Sequence, residues 1–315
     1  MVNNRPAPGK VHLLREPVEG RKYYLYVPTA YHERHRWPLV VTCHGTRPFD
    51  SALAQIDEWK GVAEQRGFLV AAPELTASSA FTPPVEEQIQ RQMDDERAIL
   101  SLVGHVRAGR SIDDTRVFLT GWSAGSYVVL FVGLRHPEVF RALSVRQGNF
   151  REEYLQPVVP FLDPHQAIQV TYGEFDLLRK DALACIDWLR AHNMDPTPLE
   201  TFAQHRRDPN PVFAFFANVV RNEPWVRLEV KEDPADEMRV TLAVRASFVP
   251  QACFWDFGDG HQSREVAPTH RYEQPGTYTV RVVLGEPGSG RVVRSIKLQL
   301  PRVRLGATPP TTRPD

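Results

Sequence analysis

The strongest chemical signal in the chain is a five-residue stretch, Gly121-Trp122-Ser123-Ala124-Gly125. It fits the pattern G-x-S-x-G, in which a serine sits on a sharp turn from a strand into a helix. Residues 117–120 before it read as a strand, and residues 126–136 after it read as an apolar helix. The two glycines suit a turn whose flanking residues crowd each other. Such a turn lifts the Ser123 hydroxyl above a sheet and sets the unpaired N–H groups of a helix start under a reacting carbonyl. The chemistry expected is nucleophilic attack by Ser123 on an acyl carbon.

The surrounding elements must hold that serine in place. Over the first two-thirds of the chain, short apolar runs bounded by turn residues alternate with helical spacing. Strands are expected at 23–27, 39–43, 68–72, 117–120, 142–146, 168–172 and 199–203. Helices are expected at 53–66, 86–107, 126–136, 178–192 and 212–221. Alternation of this kind predicts an α/β architecture, a doubly wound and mainly parallel sheet with right-handed crossovers. After Pro224 helical spacing disappears. Short alternating strands separated by Gly/Pro turns take over, which predicts a small all-β sandwich. The expected division is an N-terminal extension over 1–20, a catalytic domain over 21–222, the sandwich over 225–300 and a disordered Pro/Thr/Arg-rich tail over 301–315.

The elbow in this context resembles the α/β-hydrolase fold. Within that fold, residues 20–222 look most like the polyhydroxybutyrate depolymerase and feruloyl esterase-like group. The resemblance implies a carboxylic-ester hydrolase with a Ser-acid-His triad in that chain order. The acid belongs after a strand that follows the nucleophile, and Asp176 in Gly173-Glu174-Phe175-Asp176 fills that place; Glu174 and Asp181 are the fallbacks. The base belongs in the loop after the last strand, which gives His205, with His192 as its rival. The oxyanion hole would use the amides of Ala124 and of Thr46 in the loop His44-Gly45-Thr46. For the pocket, the segments 73–85 and 148–166 offer Phe81, Phe150 and Phe161, joined by His44 and Trp122, with Arg146 and Gln147 near the sheet end; for His44 a structural role in its loop is the stronger expectation. No cofactor and no metal are implied.

Residues 253–283 contain Phe254-Trp255-Asp256-Phe257-Gly258-Asp259-Gly260, Pro268-Thr269-His270-Arg271-Tyr272 and Pro275-Gly276-Thr277-Tyr278-Thr279-Val280. This resembles a PKD domain, an immunoglobulin-like module. The resemblance implies a spacer or adhesive module able to contact carbohydrate or protein, usually outside the cytoplasm.

Bulk properties narrow the field. Among 315 residues, 38 basic and 38 acidic side chains cancel. That balance excludes the basic footprint of a nucleic-acid binder. Neither a signal peptide nor a membrane span is visible. Cys43, Cys185 and Cys253 lack metal-ligand spacing and read as buried thiols. Two other functions stay open. One is a binding protein on an inactive hydrolase fold; the loop Gln204-His205-Arg206-Arg207-Asp208-Pro209 favours it, because the family usually places small residues around this histidine. The other is a peptidase, disfavoured by the short chain. The substrate of the esterase reading is a carbohydrate-linked ester or a polyester.

Overall fold

The computed structural model describes residues 7–79, 81, 83–286 and 290–301. The chain divides into two compact units, residues 1–223 and 224–315.

The first unit is built on an eight-stranded sheet. In chain order its elements are β1 (Lys10–Arg15), β2 (Lys22–Val27), β3 (Trp37–Cys43), α1 (Ala52–Arg66), β4 (Leu69–Pro73), α2 (Val85–Gly109), β5 (Ile112–Trp122), α3 (Gly125–Arg135), β6 (Ala142–Arg146), a 3-10 turn (Glu152–Phe161), β7 (Ala167–Gly173), α4 (Arg179–Ala191), β8 (Pro196–Thr201) and α5 (Asn210–Asn222). The strand order is β1-β2-β4-β3-β5-β6-β7-β8. From β4 to β8 neighbours run parallel, while β1 and β2 are antiparallel. The N-terminal extension expected over 1–20 is therefore corrected: Lys10–Arg15 is an edge strand paired along its length with β2. The last strand spans Pro196–Thr201, starting three residues and ending two residues earlier than its sequence pattern suggests. Proline is tolerated there because β8 is an edge, where a missing donor leaves no ladder bond open.

Both faces of the sheet are covered. Alternate residues of the strands face opposite ways. Leu39, Val41 and Cys43 of β3 join a core with Ile99, Leu102 and Val103 of α2 and Val128 to Val132 of α3. Val40 faces the other way, toward Ile56 and Trp59 of α1 and Val212 and Phe216 of α5. Helix α3 is apolar all round and buried from Gly125 to Leu134, as a central helix under a sheet must be. Helix α2 turns a polar stripe inward. Its Asp95 accepts hydrogen bonds from the Thr76 and Ala77 amides, and Gln88 donates to Ala77 O. These bonds pin the loop after β4. Burial raises the Asp95 carboxyl, against the lowering pull of those amides and of Arg21.

The second unit is a two-sheet sandwich. Strands β9 (Val226–Asp233), β10 (Asp236–Ala246) and β13 (Thr269–Arg271) form one sheet. Strands β11 (Ala252–Asp256), β12 (Gln262–Ser263), β14 (Gly276–Glu286) and β15 (Gly290–Leu300) form the other. Trp255, Tyr272, Val280, Val282 and Leu284 fill the space between them. Trp255 Nε1 donates to Glu265 O and Tyr272 OH donates to Phe257 O, so both buried aromatics satisfy their polar ends. The tail expected over 301–315 lies, beyond Pro301, outside the described residues. Among the described residues, no helix is long and apolar enough to cross a membrane.

Candidate active site

Strand β5 and helix α3 meet at Ser123, whose φ is +54°. A non-glycine residue in the left-handed region is strained and persists only where its surroundings hold it. Here the Ser123 amide donates to Arg146 O on β6, and its carbonyl accepts from the amides of Ser126 and Asn149. The two glycines are required by contact. A Cβ at Gly121 would come within 2.6 Å of Gly125 O, and one at Gly125 within 2.5 Å of Cys43 O. Ser123 is 9% exposed. Ala124 begins the helical turn, so its amide belongs to the unpaired set of a helix start.

Asp176 and His205 come together beside this turn. His205 Nδ1 lies 3.1 Å from both carboxylate oxygens of Asp176. The Asp176 side chain is fully buried, and Oδ1 also accepts from the Leu178 amide at 2.8 Å. The His205 ring packs on the Trp122 ring, centroids 4.5 Å apart. Trp122 is the residue before Ser123, so the imidazole stands next to the elbow. The two loops carrying acid and base are joined backbone to backbone: the Glu174 amide donates to Thr201 O and the Phe175 amide to Ala203 O.

The alternatives from sequence lie elsewhere. Asp181 is occupied by the Phe150 amide. Glu174 is exposed. His192 turns back on the end of α4, its Nδ1 2.8 Å from Trp188 O.

The loop after β3 approaches the elbow closely. A Cβ at Gly45 would meet the Ser123 Cβ at 3.1 Å. The Gly45 amide donates to Asp50 Oδ2 at 2.8 Å, and Thr46 O accepts from the Asp50 amide. His44 is buried and braces the loop: its Nε2 accepts from the Leu75 amide at 3.1 Å, and Nδ1 lies 2.7 Å from Gly45 O. Burial pushes this imidazole below its ordinary range, in keeping with a neutral ring that both accepts and donates. His44 thus braces the loop that faces the elbow. Phe150 is half-buried against the core near Trp188, whereas Phe81 is 81% exposed. Phe161 is 37% exposed, with the Arg135 guanidinium over its ring.

Arg146 and Gln147 were legible only as residues near the sheet end. Arg146 is buried and bonds Glu58, Gln55 Oε1 and Thr42 Oγ1. Burial raises the Glu58 carboxyl, and the arginine opposes that. Gln147 and Asp50 hold the loops around Ser123; Asp50, which the sequence did not single out, sits in no motif, and only the long-range fold brings it there.

In the second unit, Asp259, His261 and His270 each offer a ligand atom, all within 4.8 Å of one another. Asp259 Oδ2 already lies 2.7 Å from His270 Nε2, and its Oδ1 accepts from the His261 amide. The trio is thus a hydrogen-bonded turn as it stands. The three cysteines are free and buried, and burial pushes each thiol up and away from reactivity.

The parallel sheet and its strand-serine-helix elbow give the first unit an α/β-hydrolase fold, and the second unit is an antiparallel sandwich of the kind a PKD domain has. Residues 21–156 match the family described as esterase PHB depolymerase, and residues 222–294 match the PKD domain family. Poly(3-hydroxyalkanoate) depolymerase C of Paucimonas lemoignei is 28% identical over 116 residues, which are 36% of this chain and 28% of that protein's length. Among solved structures, S-formylglutathione hydrolase of Staphylococcus aureus aligns at TM-score 0.51 and 14% identity, over 69% of this chain and 98% of that one. A ferulic acid esterase of Anaeromyces mucronatus aligns at TM-score 0.51 and 16% identity, over 69% and 93%. At these identities the two structures speak for the fold.

Proposed function

We propose that the first unit hydrolyses carboxylic esters through an acyl-enzyme on Ser123. The observation that carries this reading is the strained Ser123 at a strand-to-helix turn with the His205–Asp176 pair packed against its neighbour Trp122. His205 takes the Ser123 proton as Oγ bonds to the acyl carbon, and Asp176 steadies the imidazolium. The negative oxygen of the tetrahedral intermediate falls to the amides of Ala124 and Thr46, since the Gly45 amide is given to Asp50. Each such donor is worth about 3 kcal/mol in the transition state. The intermediate collapses, the alcohol leaves with the proton from His205, and water repeats the sequence to release the acid.

An apolar, extended ester is the substrate that the rim supports. Phe175 and Leu177 flank Asp176, and Phe202 lies three residues before His205; they are 56%, 79% and 86% exposed, and the two phenyl rings meet edge to face at 5.0 Å. A polyester fits this rim, in line with the name of the Paucimonas relative; a carbohydrate-linked ester is the second choice. The PKD domain would contact carbohydrate or protein near the substrate, outside the cytoplasm. In the loop 204–209, which favoured an inactive binding protein, the Arg207 side chain is bonded to Asp50 and lies over Trp122, which supports the esterase reading over the binding one.

The test is labelling of the full chain by a fluorophosphonate probe, with turnover of p-nitrophenyl acetate measured in parallel. Both are expected in the wild type and absent in Ser123→Ala. A wild type that neither labels nor turns over, or a Ser123→Ala variant that still does, overturns the proposal.

A further inference from the structure

The base loop leaves β8 at Thr201 and enters α5 at Asn210, and its middle has no regular ladder to hold it. Two side chains from elsewhere take over. Gln147, directly after β6, has φ +46° and anchors its amide on Thr171 O at 2.8 Å. Its side chain then reaches both sides of His205. Nε2 donates to Gln204 O at 2.9 Å, and Oε1 accepts from the Arg206 amide. Arg207 lays its guanidinium 5.3 Å from the Trp122 ring and donates to Asp50 Oδ1 at 2.7 Å.

Asp50 belongs to the opposite loop, and its carboxylate is fully buried. Oδ1 also accepts from the Ser51 amide, while Oδ2 accepts from the Gly45 amide and from Gln55 Nε2 at 2.7 Å. One carboxylate therefore bonds both the loop that carries Thr46 and the loop that carries His205. Bonds to an ionised group are short and strong, and a buried carboxylate deprived of its cation is destabilised.

We infer that Asp50, Arg207 and Gln147 are positioning residues that lock the base loop to the oxyanion loop, so that imidazole and amide donors keep one fixed separation across Ser123. The inference rests on the triad reading above. Ester hydrolysis requires this fixity, because the base and the oxyanion donors act on the same tetrahedral centre. A misplacement near 1 Å costs roughly 100-fold in rate. Arg207, one of the residues that set this loop apart from the small residues expected in the family, thus serves the reaction rather than opposes it.

The experiment compares Arg207→Gln, Arg207→Lys, Gln147→Ala and the double variant Arg207→Gln/Gln147→Ala in the full chain. The Arg207 side chain is 34% exposed, so its replacement leaves the core closed. Active molecules are counted by fluorophosphonate titration, and kcat and KM are measured on p-nitrophenyl acetate from pH 5 to 10. Arg207→Gln is expected to lower kcat by roughly 10- to 100-fold with KM within about twofold. Arg207→Lys is expected to recover part of the loss. The double variant is expected to lose less than the product of the single losses, since both residues hold one loop. A purely structural role would lower the melting temperature and the titrated fraction while leaving kcat per active molecule and its pH midpoint at wild-type values. That result in Arg207→Gln overturns the inference, as do independent, multiplying losses. A wild type that fails to label counts instead against the triad.

Discussion

Gly125→Ala is the sharpest probe of the elbow, because the clash it creates can be measured. The new Cβ would stand 2.5 Å from Cys43 O and 2.7 Å from His44 O. Ordinary contact needs about 1 Å more. Both oxygens belong to backbone, so no side chain can rotate aside. Either the start of α3 moves off the sheet or the end of β3 moves away from it. Each movement parts Ala124, on the helix, from the loop that carries Thr46. A displacement near 1 Å at the reacting groups costs about 100-fold in kcat, equivalent to roughly 2.7 kcal/mol of barrier. The overpacking itself costs about 1–3 kcal/mol of stability. The assay is kcat on p-nitrophenyl acetate per folded molecule, with folding followed by circular dichroism melts. A folded Gly125→Ala enzyme within threefold of wild-type kcat would refute the argument that this contact sets the oxyanion geometry.

Two further outcomes follow from the structure. His136 lies 2.7 Å from Glu96 and 2.9 Å from Glu138; burial pushes its imidazolium down, but the bonds to Glu138 and Glu96 outweigh this and carry it up to about 9 from 6.5. A group raised on folding contributes fully below its unfolded value and loses that contribution as pH rises through the folded one. Stability should therefore fall by up to about 3 kcal/mol between pH 6.5 and 9, seen as a lower urea midpoint, and His136→Gln should remove that slope; an unchanged slope in the variant contradicts the assignment. At the rim, Phe202→Ser should raise KM several-fold for long-chain p-nitrophenyl esters while that for the acetate stays within about twofold, each exposed ring offering on the order of 1–2 kcal/mol to an apolar chain; equal effects on both esters would remove Phe202 from the substrate surface.

How far the sequence could be read depended on how local each requirement is. Ser123 was legible because a strand, two crowded glycines and an apolar helix lie within twenty consecutive residues. Strand β1 was not, since its residues are half-buried or exposed without clean alternation. Pro196 and Pro198 argue against a strand by propensity, and only the edge position of β8 makes them acceptable. The inward polar stripe of α2 defeats a reading by hydrophobic period: Gln88 and Asp95 are buried to hold the loop after β4, and Gln92 reaches Tyr127 O of α3. Asp50 and Gln147 lie 157 and 59 positions from the residues they bond in the base loop. No spacing rule reaches across such gaps.

Residues 173–175 and 201–203 sit on adjacent rungs at the margin of the sheet. The same backbone bonds consequently hold carboxylate and imidazole in one block, and the bonds from Gln147 and Asp50 tie that block to the loops beside the serine. Phe175 and Phe202 ride on the same block. Under the ester-hydrolase proposal, an ester that settled against those rings would bear on the two loops that carry the proton-transfer pair.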